Sequence, residues 1–192
     1  MKKLIFVFLL FLSSPLWLAA QCPTDITFTS QSQIDSFPIN YPGCTQILGF
    51  VQISESIPGD ITNLDGLSTI NYFGKNLFIA GNASLNNLHG LHNVDSVGWS
   101  LALNDNSAMT SLSGLDNLKT VGLSSSDGGE LFIEHDSALT TLSGLGNLTT
   151  VAGHFYILET PVLTNISSLN NLTFVGKQFV VESTALTSIN SL

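Results

Sequence analysis

A motif that recurs about every 24 residues constrains this chain more than any other feature of its sequence. The repeats begin at Leu77, Leu101, Leu131, Phe155 and Phe179, so successive starts lie 24, 30, 24 and 24 residues apart. Six extra residues around 124–129 account for the long interval, and an imperfect repeat begins earlier, at Val51. A fixed period in this range is typical of proteins built from stacked repeats.

The apolar residues within a repeat indicate where the chain is extended. Counted from the first apolar residue as offset 0, they recur at offsets 0, 2, 8, 11, 14, 17 and 20, which in the third repeat are Leu131, Ile133, Leu139, Leu142, Leu145, Leu148 and Val151. The 0/2 spacing is that of a strand, whereas an amphipathic helix would need mixed steps of three and four. The pattern predicts short extended segments joined by bends, and glycines at offset 13 and near offset 21 supply the unusual backbone angles.

Stacking is required because one coil cannot bury its own aliphatic row. Coils about 4.8 Å apart can do so, since equivalent leucines then lie on one another. Offset 5 carries Asn82, Asn106, Asp136 and Thr160. We interpret this row as a ladder of polar side chains that bond turn backbone; the alternative is that they are solvated turn residues.

The first 20 residues have the composition of a secretory signal peptide. Lys2 and Lys3 precede an apolar run over 4–12, and small residues end the segment at Ala20. The run is too short for a membrane span, so we expect no transmembrane segment in the mature chain. A lipoprotein signal is the competing interpretation because Cys22 follows closely, although Gln21 fits a lipobox poorly.

Residues 21–49 do not fit the period and are predicted to form an N-terminal cap, followed by the repeats over 50–192. The segment Ser30–Phe37 predicts one or two helical turns, ended by Pro38 and the residues after it. In an exported protein Cys22 and Cys44 predict a disulfide, with two free thiols or one acylated thiol as the alternatives. Because the chain stops inside a repeat, we expect it to be truncated at its C-terminus.

The charge of the chain excludes one class of partner. The formal net charge is −9, and there is no Arg. Nucleic-acid binding needs a basic patch to neutralise phosphates, so no nucleic-acid partner is expected, and adhesion to an anionic membrane is disfavoured for the same reason.

The repeat, L-x-I-x-x-N-x-x-L-x-x-L-x-G-L-x-N-L-x-x-V-G, resembles the receptor L domain, the leucine-rich-repeat-like ligand-binding module of the insulin and epidermal growth factor receptors. It is more similar still to secreted bacterial proteins that repeat this unit, and the segment Ile26–Ile47 resembles their cap. The resemblance implies a right-handed arrangement of short parallel strands and, for the bacterial proteins, a cell-surface location reached by type IX secretion. The expected fold class is therefore all-β: a right-handed, single-stranded parallel β-helix or LRR-like solenoid of ~24-residue coils with an N-terminal cap.

The sequence shows little sign of catalytic chemistry. It contains no G-x-S-x-G, H-E-x-x-H or P-loop motif. Glu130, Glu134 and Asp136 cluster beside His135, where a solvated turn is the simpler explanation. His89 and His92 provide too few ligands for a metal site, and the acidic turns lack the periodic motif of calcium-binding repeats. We therefore predict a protein that is not an enzyme and has no cofactor or metal.

An outward-facing stripe is the best candidate for a functional surface. If offsets 0 and 2 point inward, offset 1 points outward, and that row is unexpectedly apolar. The predicted ligand-binding face comprises Phe78, Ala102, Phe132, Tyr156, Val180, Glu130, Glu134 and His154. Apolar stripes with a polar rim often mark interaction sites. The alternatives are that aromatic residues simply favour strands, or that loops or a missing domain cover the stripe.

These observations predict a secreted or cell-surface, non-catalytic binding or adhesion module that recognises an extracellular protein or carbohydrate along its sheet face. The alternatives are a carbohydrate-active enzyme on a β-helix scaffold and a purely architectural surface repeat.

Overall fold

We describe residues 21–187 of the chain from a computed structural model. The predicted signal peptide over 1–20 and the last residues of the final repeat lie outside the described residues. Among residues 21–187, no helix has the length and apolar composition needed to cross a membrane.

Two parallel sheets are built from alternate strands of the chain. The first sheet contains β1 (Ile26–Phe28), β3 (Val51–Ile53), β5 (Leu77–Ala80), β7 (Leu101–Asn104), β9 (Leu131–Glu134), β11 (Phe155–Thr160) and β13 (Phe179–Thr184), in that order. The second contains β2 (Gln46–Ile47), β4 (Tyr72–Phe73), β6 (Ser96–Val97), β8 (Thr120–Val121), β10 (Thr150–Val151) and β12 (Phe174–Val175), also in chain order. Each repeat from the one that begins at Val51 to the one that begins at Phe155 therefore contributes one strand to each sheet, and the described part of the last repeat contributes β13 to the first.

The register of the first sheet places equivalent residues of successive repeats side by side. Leu77 pairs with Leu101, Leu101 with Leu131, and Leu131 with Phe155. The 30-residue repeat keeps this register because its extra residues fall in the turn around 122–129, outside both sheets.

The predicted all-β fold class, a single-stranded β-helix or LRR-like solenoid, is wrong. The described residues form two separate open sheets, of seven and six strands, together with the helix α1 (Gln31–Asn40) and three short 3-10 helices (Asp65–Leu67, His89–Leu91 and Ser167–Leu169). This is a mixed α/β arrangement. The apolar pattern does not reveal the second sheet because each of its strands is only two residues long, too short to show an alternation of its own.

The apolar offsets form one continuous core between the sheets. All seven apolar offsets of the third repeat, from Leu131 to Val151, are fully buried, and their equivalents in the second repeat are buried as well. Burying a leucine side chain contributes about 2 kcal/mol, so each repeat adds favourable energy only when its neighbours cover it.

Three of the four polar residues at offset 5 form a buried ladder, which confirms that interpretation for Asn82, Asn106 and Asp136, whereas Thr160 Oγ1 is buried without a hydrogen-bond partner. Asn82 Nδ2 donates to Ile53 O at 3.1 Å, and Asn106 Nδ2 donates to Ile79 O at 2.9 Å. The backbone N–H of Asn82 donates to Asn106 Oδ1, and that of Asn106 donates to Asp136 Oδ1. These side chains satisfy backbone groups where the strands of the first sheet end.

A second asparagine row, at offset 16, is visible in the repeat pattern, but its hydrogen bonds were not predicted from it. The four side-chain amides each donate to a carbonyl of the preceding repeat: Asn93 to Ser68, Asn117 to His92, Asn147 to Asp116 and Asn171 to Gly146, at 2.6–2.7 Å. This row lies on the exposed side of the turns, so it ties successive repeats together from outside the core.

The N-terminal segment packs on the first repeat through α1 and a disulfide. Ser30 caps α1 by accepting a hydrogen bond from Gln33 N. The Cys22–Cys44 disulfide is present, as predicted, and closes a separation of 22 residues, a constraint that contributes about 3 kcal/mol in the chain-entropy model. The predicted end of the helix at Pro38 is wrong, because Pro38 lies inside the last turn and Tyr41 N still donates to Phe37 O.

Candidate functional site

A groove of about 650 Å³ lies on the outer face of the first sheet, across strands β3, β5, β7 and β9. Its lining residues are Phe50, Gln52, Asn76, Phe78, Ala80, Ser100, Ala102, Asn104, Glu130, Phe132 and Glu134. They belong to offsets −1, 1 and 3 of four successive repeats, so the groove runs across the strands.

Strand alternation is what places these side chains on the outer face. Along β5 and β9 buried and half-buried residues alternate, with Leu77 and Ile79 in the core and Phe78 on the outer face. Phe132 holds the same place in β9, between Leu131 and Ile133. Two large apolar rings therefore stand on a face that a polar residue would ordinarily occupy.

Ring contacts fix the two aromatic sides of the groove. On one side, Phe50 and Phe78 meet edge to face, with ring centroids 5.2 Å apart and an interplanar angle of 88°. On the other, Phe132 stacks on Tyr156 at 5.2 Å and 16°, and Tyr156 stacks on His154 at 5.1 Å and 21°. Stacked and edge-to-face pairs of this kind are stabilising, so both sides are held in place before any ligand arrives.

The floor between the aromatic sides is Ala102. It pairs with Phe78 on one neighbouring strand and with Phe132 on the other, and only 7% of its surface is exposed. Two strand spacings separate Phe78 from Phe132, or about 10 Å. The concavity therefore arises because a methyl group stands where the neighbouring repeats carry a ring.

Polar groups line the ends of the groove. Asn76 Oδ1 accepts a hydrogen bond from Ser100 N at 3.0 Å, and Ser100 Oγ accepts one from Glu130 N at 3.1 Å. The Asn104 Oδ1 atom is buried without a hydrogen-bond partner. Glu130 and Glu134 bring two carboxylates to the lining, and the lining residues include no Lys, Arg or His.

The structure brings together most of the predicted face, but not all of it. Phe78, Ala102, Phe132, Glu130 and Glu134 line the groove. Tyr156 lies behind Phe132 and stacks on it, and His154 stacks on Tyr156. Val180 pairs with Tyr156 on the next strand, further from the groove. Phe50 was missed, although it occupies offset −1 of the imperfect repeat that begins at Val51, and extending the row by one repeat identifies it.

The acidic cluster near His135, considered above as a catalytic candidate, does not lie on one face of the sheet. Glu130 and Glu134 face the groove, His135 is exposed, and Asp136 is fully buried in the offset 5 ladder. Burial raises the pKa of Asp136 from 3.8 to about 6. These groups do not converge on one site.

Within residues 21–187, no group of three or more His, Cys, Asp or Glu side chains is placed to hold a metal ion. The His92 ring lies with Nδ1 2.6 Å from His89 O, so it contacts the backbone of the neighbouring histidine in the same turn.

Comparison of the chain with protein-family models, with curated proteins and with solved structures found no match. The resemblance of the repeat to the receptor L domain therefore stays a prediction.

Proposed function

We propose that this protein is an extracellular, non-catalytic carbohydrate-binding module, and that its ligand occupies the groove on the first sheet. The observation that carries the proposal is the pre-formed groove with aromatic sides and a polar rim. Ligand sites are mostly concave and apolar, with a few polar groups that fix orientation.

The chemistry of the lining favours a carbohydrate over a protein. A sugar ring has apolar C–H faces that can pack on Phe78 or Phe132, and hydroxyl groups around its edge that both donate and accept hydrogen bonds. Side-chain amides also donate and accept, and Gln52, Asn76 and Asn104 provide three of them next to the rings.

The spacing of the groove carboxylates supports binding without catalysis. Glu130 and Glu134 are four residues apart on one strand, so their backbones are separated by about 13 Å, and Phe132 stands between them. The two carboxyl groups of a glycosidase face one scissile bond with only a sugar between them, whereas here a ring of the protein itself, Phe132, lies between the two glutamates. This favours a binding module over the alternative of a glycosidase.

Two features of the chain support an extracellular location. The composition of residues 1–20 predicts export, and the Cys22–Cys44 disulfide is typical of oxidising compartments. Type IX export rests on the resemblance alone. The alternative of an architectural repeat would leave the groove without a ligand.

The proposal is tested by replacing the aromatic side formed by Phe132 and Tyr156. We expect the double variant Phe132→Ser, Tyr156→Ser to lose at least about tenfold in affinity for the oligosaccharides that the wild-type chain binds, because stacked rings contribute more than about 1.4 kcal/mol to such contacts. Affinity electrophoresis with immobilised gluco-, manno-, xylo- and galacturono-glycans measures this.

The matched control is Phe174→Ser, which removes an exposed ring from the second sheet. It should bind as the wild type does. If no glycan binds the wild-type chain, or if the double variant binds unchanged, the proposal is wrong. If no glycan binds but a protein binds through the same rings, the ligand of the groove is a protein and not a carbohydrate.

A further inference from the structure

We infer that the gap above Ala102 seats a single sugar ring without an acidic group, so that the groove selects neutral or basic glycans and rejects acidic ones. This inference rests on the proposed carbohydrate-binding function and specifies its substrate class. Two observations carry it: the dimensions of the gap and the charge of its surroundings.

The gap has room for one ring. The backbones of Phe78 and Phe132 are separated by two strand spacings, about 10 Å, and subtracting the half-thickness of two rings that stand over their own strands leaves about 6 Å of width. A pyranose ring fits this width, whereas two stacked rings do not. Since the offset 1 row is otherwise Gln52, Phe78, Phe132, Tyr156 and Val180, Ala102 is the only small residue in it.

The charge around the gap is uniformly negative. Glu130 and Glu134 flank Phe132 on its own strand, at offsets −1 and 3, and the lining residues include no cation. The nearest lysine along the chain, Lys75, lies outside the lining and sits 5.2 Å from the centroid of the Trp99 ring. A carboxylate on the ligand would meet two like charges with no counter-ion, while an amino sugar would meet two opposite charges.

The amides of the rim fit a sugar ring better than a single cationic side chain. An arginine or lysine side chain offers only donors, and it would leave the amide donors of Gln52 and Asn76 without acceptors. A hydroxylated ring satisfies both kinds of group, so the polar rim fits a sugar better than a cationic side chain.

The gap is tested by filling it. The variant Ala102→Phe places a ring between Phe78 and Phe132, where it can stack as Phe132 stacks on Tyr156 at 5.2 Å. We expect binding of neutral oligosaccharides to weaken at least about tenfold, with the unfolding midpoint unchanged or raised. The matched variant Val180→Phe adds the same ring at offset 1 beyond the groove and should bind as the wild type does.

The charge selectivity is tested by titration calorimetry with three probes: neutral gluco-oligosaccharides, chitosan oligosaccharides and oligogalacturonates. In the wild type we expect the oligogalacturonates to bind at least about tenfold more weakly than the neutral probe at low salt. The double variant Glu130→Gln, Glu134→Gln should remove most of that difference, measured as the ratio of the two affinities within the same variant. Raising the salt concentration to ~1 M should also shrink the difference, because exposed charges are then screened.

The possible results separate the inference from the proposed function. If glycans bind and Phe132→Ser, Tyr156→Ser abolishes binding, but Ala102→Phe does not weaken it, the groove binds glycans and the ring seat is wrong. If oligogalacturonates bind as tightly as the neutral probe, the charge selectivity is wrong. If none of the probes binds, the proposed function fails together with the inference.

Discussion

Asp136 is the residue whose chemistry departs most from that of its equivalents. In the two preceding repeats the same position is Asn82 or Asn106, and Nδ2 of each donates to the carbonyl at offset 2 of the repeat before it. In Asp136 an oxygen, Oδ2, takes the place of that donor and is buried without a partner. By the same equivalence it faces the carbonyl of Leu103. Two acceptors face each other unless the carboxyl group is protonated, which agrees with the pKa of Asp136, raised by burial to about 6.

The raised pKa has a definite consequence for stability. The folded state binds the Asp136 proton more tightly than the unfolded state, whose pKa is near 3.8. The contribution to stability is therefore complete below pH 3.8 and is lost as the pH rises through about 6. The difference of about 2 pK units corresponds to about 3 kcal/mol.

We predict that Asp136→Asn stabilises the protein at pH 8 by about 1–3 kcal/mol, because the amide restores the donor and does not ionise. At pH 5 the gain should be smaller by about 1.4 kcal/mol, because about half of the penalty for ionising Asp136 is already present there. Urea unfolding at both pH values gives the free energy of unfolding of the variant and of the wild type. The four histidines titrate in both proteins, so their contribution cancels in the difference. At pH 5 and above, protonation of Glu55 does not affect the comparison. Burial alone would raise its pKa, but backbone N–H groups of Gly59, Ala83 and Ile61 outweigh it and hold that pKa low.

The control is Asp105→Asn, which removes the same charge from the exposed neighbouring turn. Asp105 has a φ of 57°, a conformation that Asn adopts readily, so this variant should change stability by less than about 0.5 kcal/mol at either pH. An Asp136→Asn gain that is the same at pH 5 and pH 8 would show that the buried carboxyl group does not titrate in this range.

At the scale of the turns, the glycine at offset 13 sets how closely successive repeats approach. A Cβ on Gly90 would overlap the carbonyl group of Leu64, and one on Gly144 would overlap that of Leu112. Gly144 also has a φ of 113°, but Gly90 does not have a positive φ. The expectation that these glycines supply unusual backbone angles therefore holds for Gly144 and not for Gly90, whose role is close contact.

We predict that Gly90→Ala destabilises the protein by about 1–3 kcal/mol, because backbone atoms of two repeats must separate to admit the methyl group. The matched substitution Gly146→Ala lies in a turn with no atom within 4 Å of the added carbon. It should be neutral or stabilise by up to about 1 kcal/mol, through reduced freedom of the unfolded chain. Thermal unfolding measures the change in stability of each variant. Equal changes for Gly90→Ala and Gly146→Ala would contradict the close-contact role of Gly90.

Across the whole molecule, the period of the sequence predicted which residues pair and which are buried. Leu101 and Leu131 pair because they occupy the same offset, and that offset is visible in the sequence. The second sheet was not predictable in the same way, because two-residue strands such as Thr150–Val151 acquire strand character only through their neighbours in other repeats. The mixed α/β class was missed for this reason, and because α1 continues through Pro38.

The groove was predictable only in part. Alternation along each strand predicted that Phe78 and Phe132 face outward, but the concavity depends on Ala102 lying between them. That gap is a property of three strands side by side, and one repeat read alone does not show it.

Ligand contact with the groove can be observed residue by residue by NMR. A uniformly labelled chain titrated with neutral gluco-oligosaccharides should show the largest amide shift changes at Phe78, Ala102 and Phe132, with little change along the second sheet. The Asn104 side-chain amide should shift with them, because this residue lines the groove. Changes confined to the second sheet or the N-terminal segment, with the amides of these three residues unmoved at saturation, would contradict the assignment of the groove as the binding site.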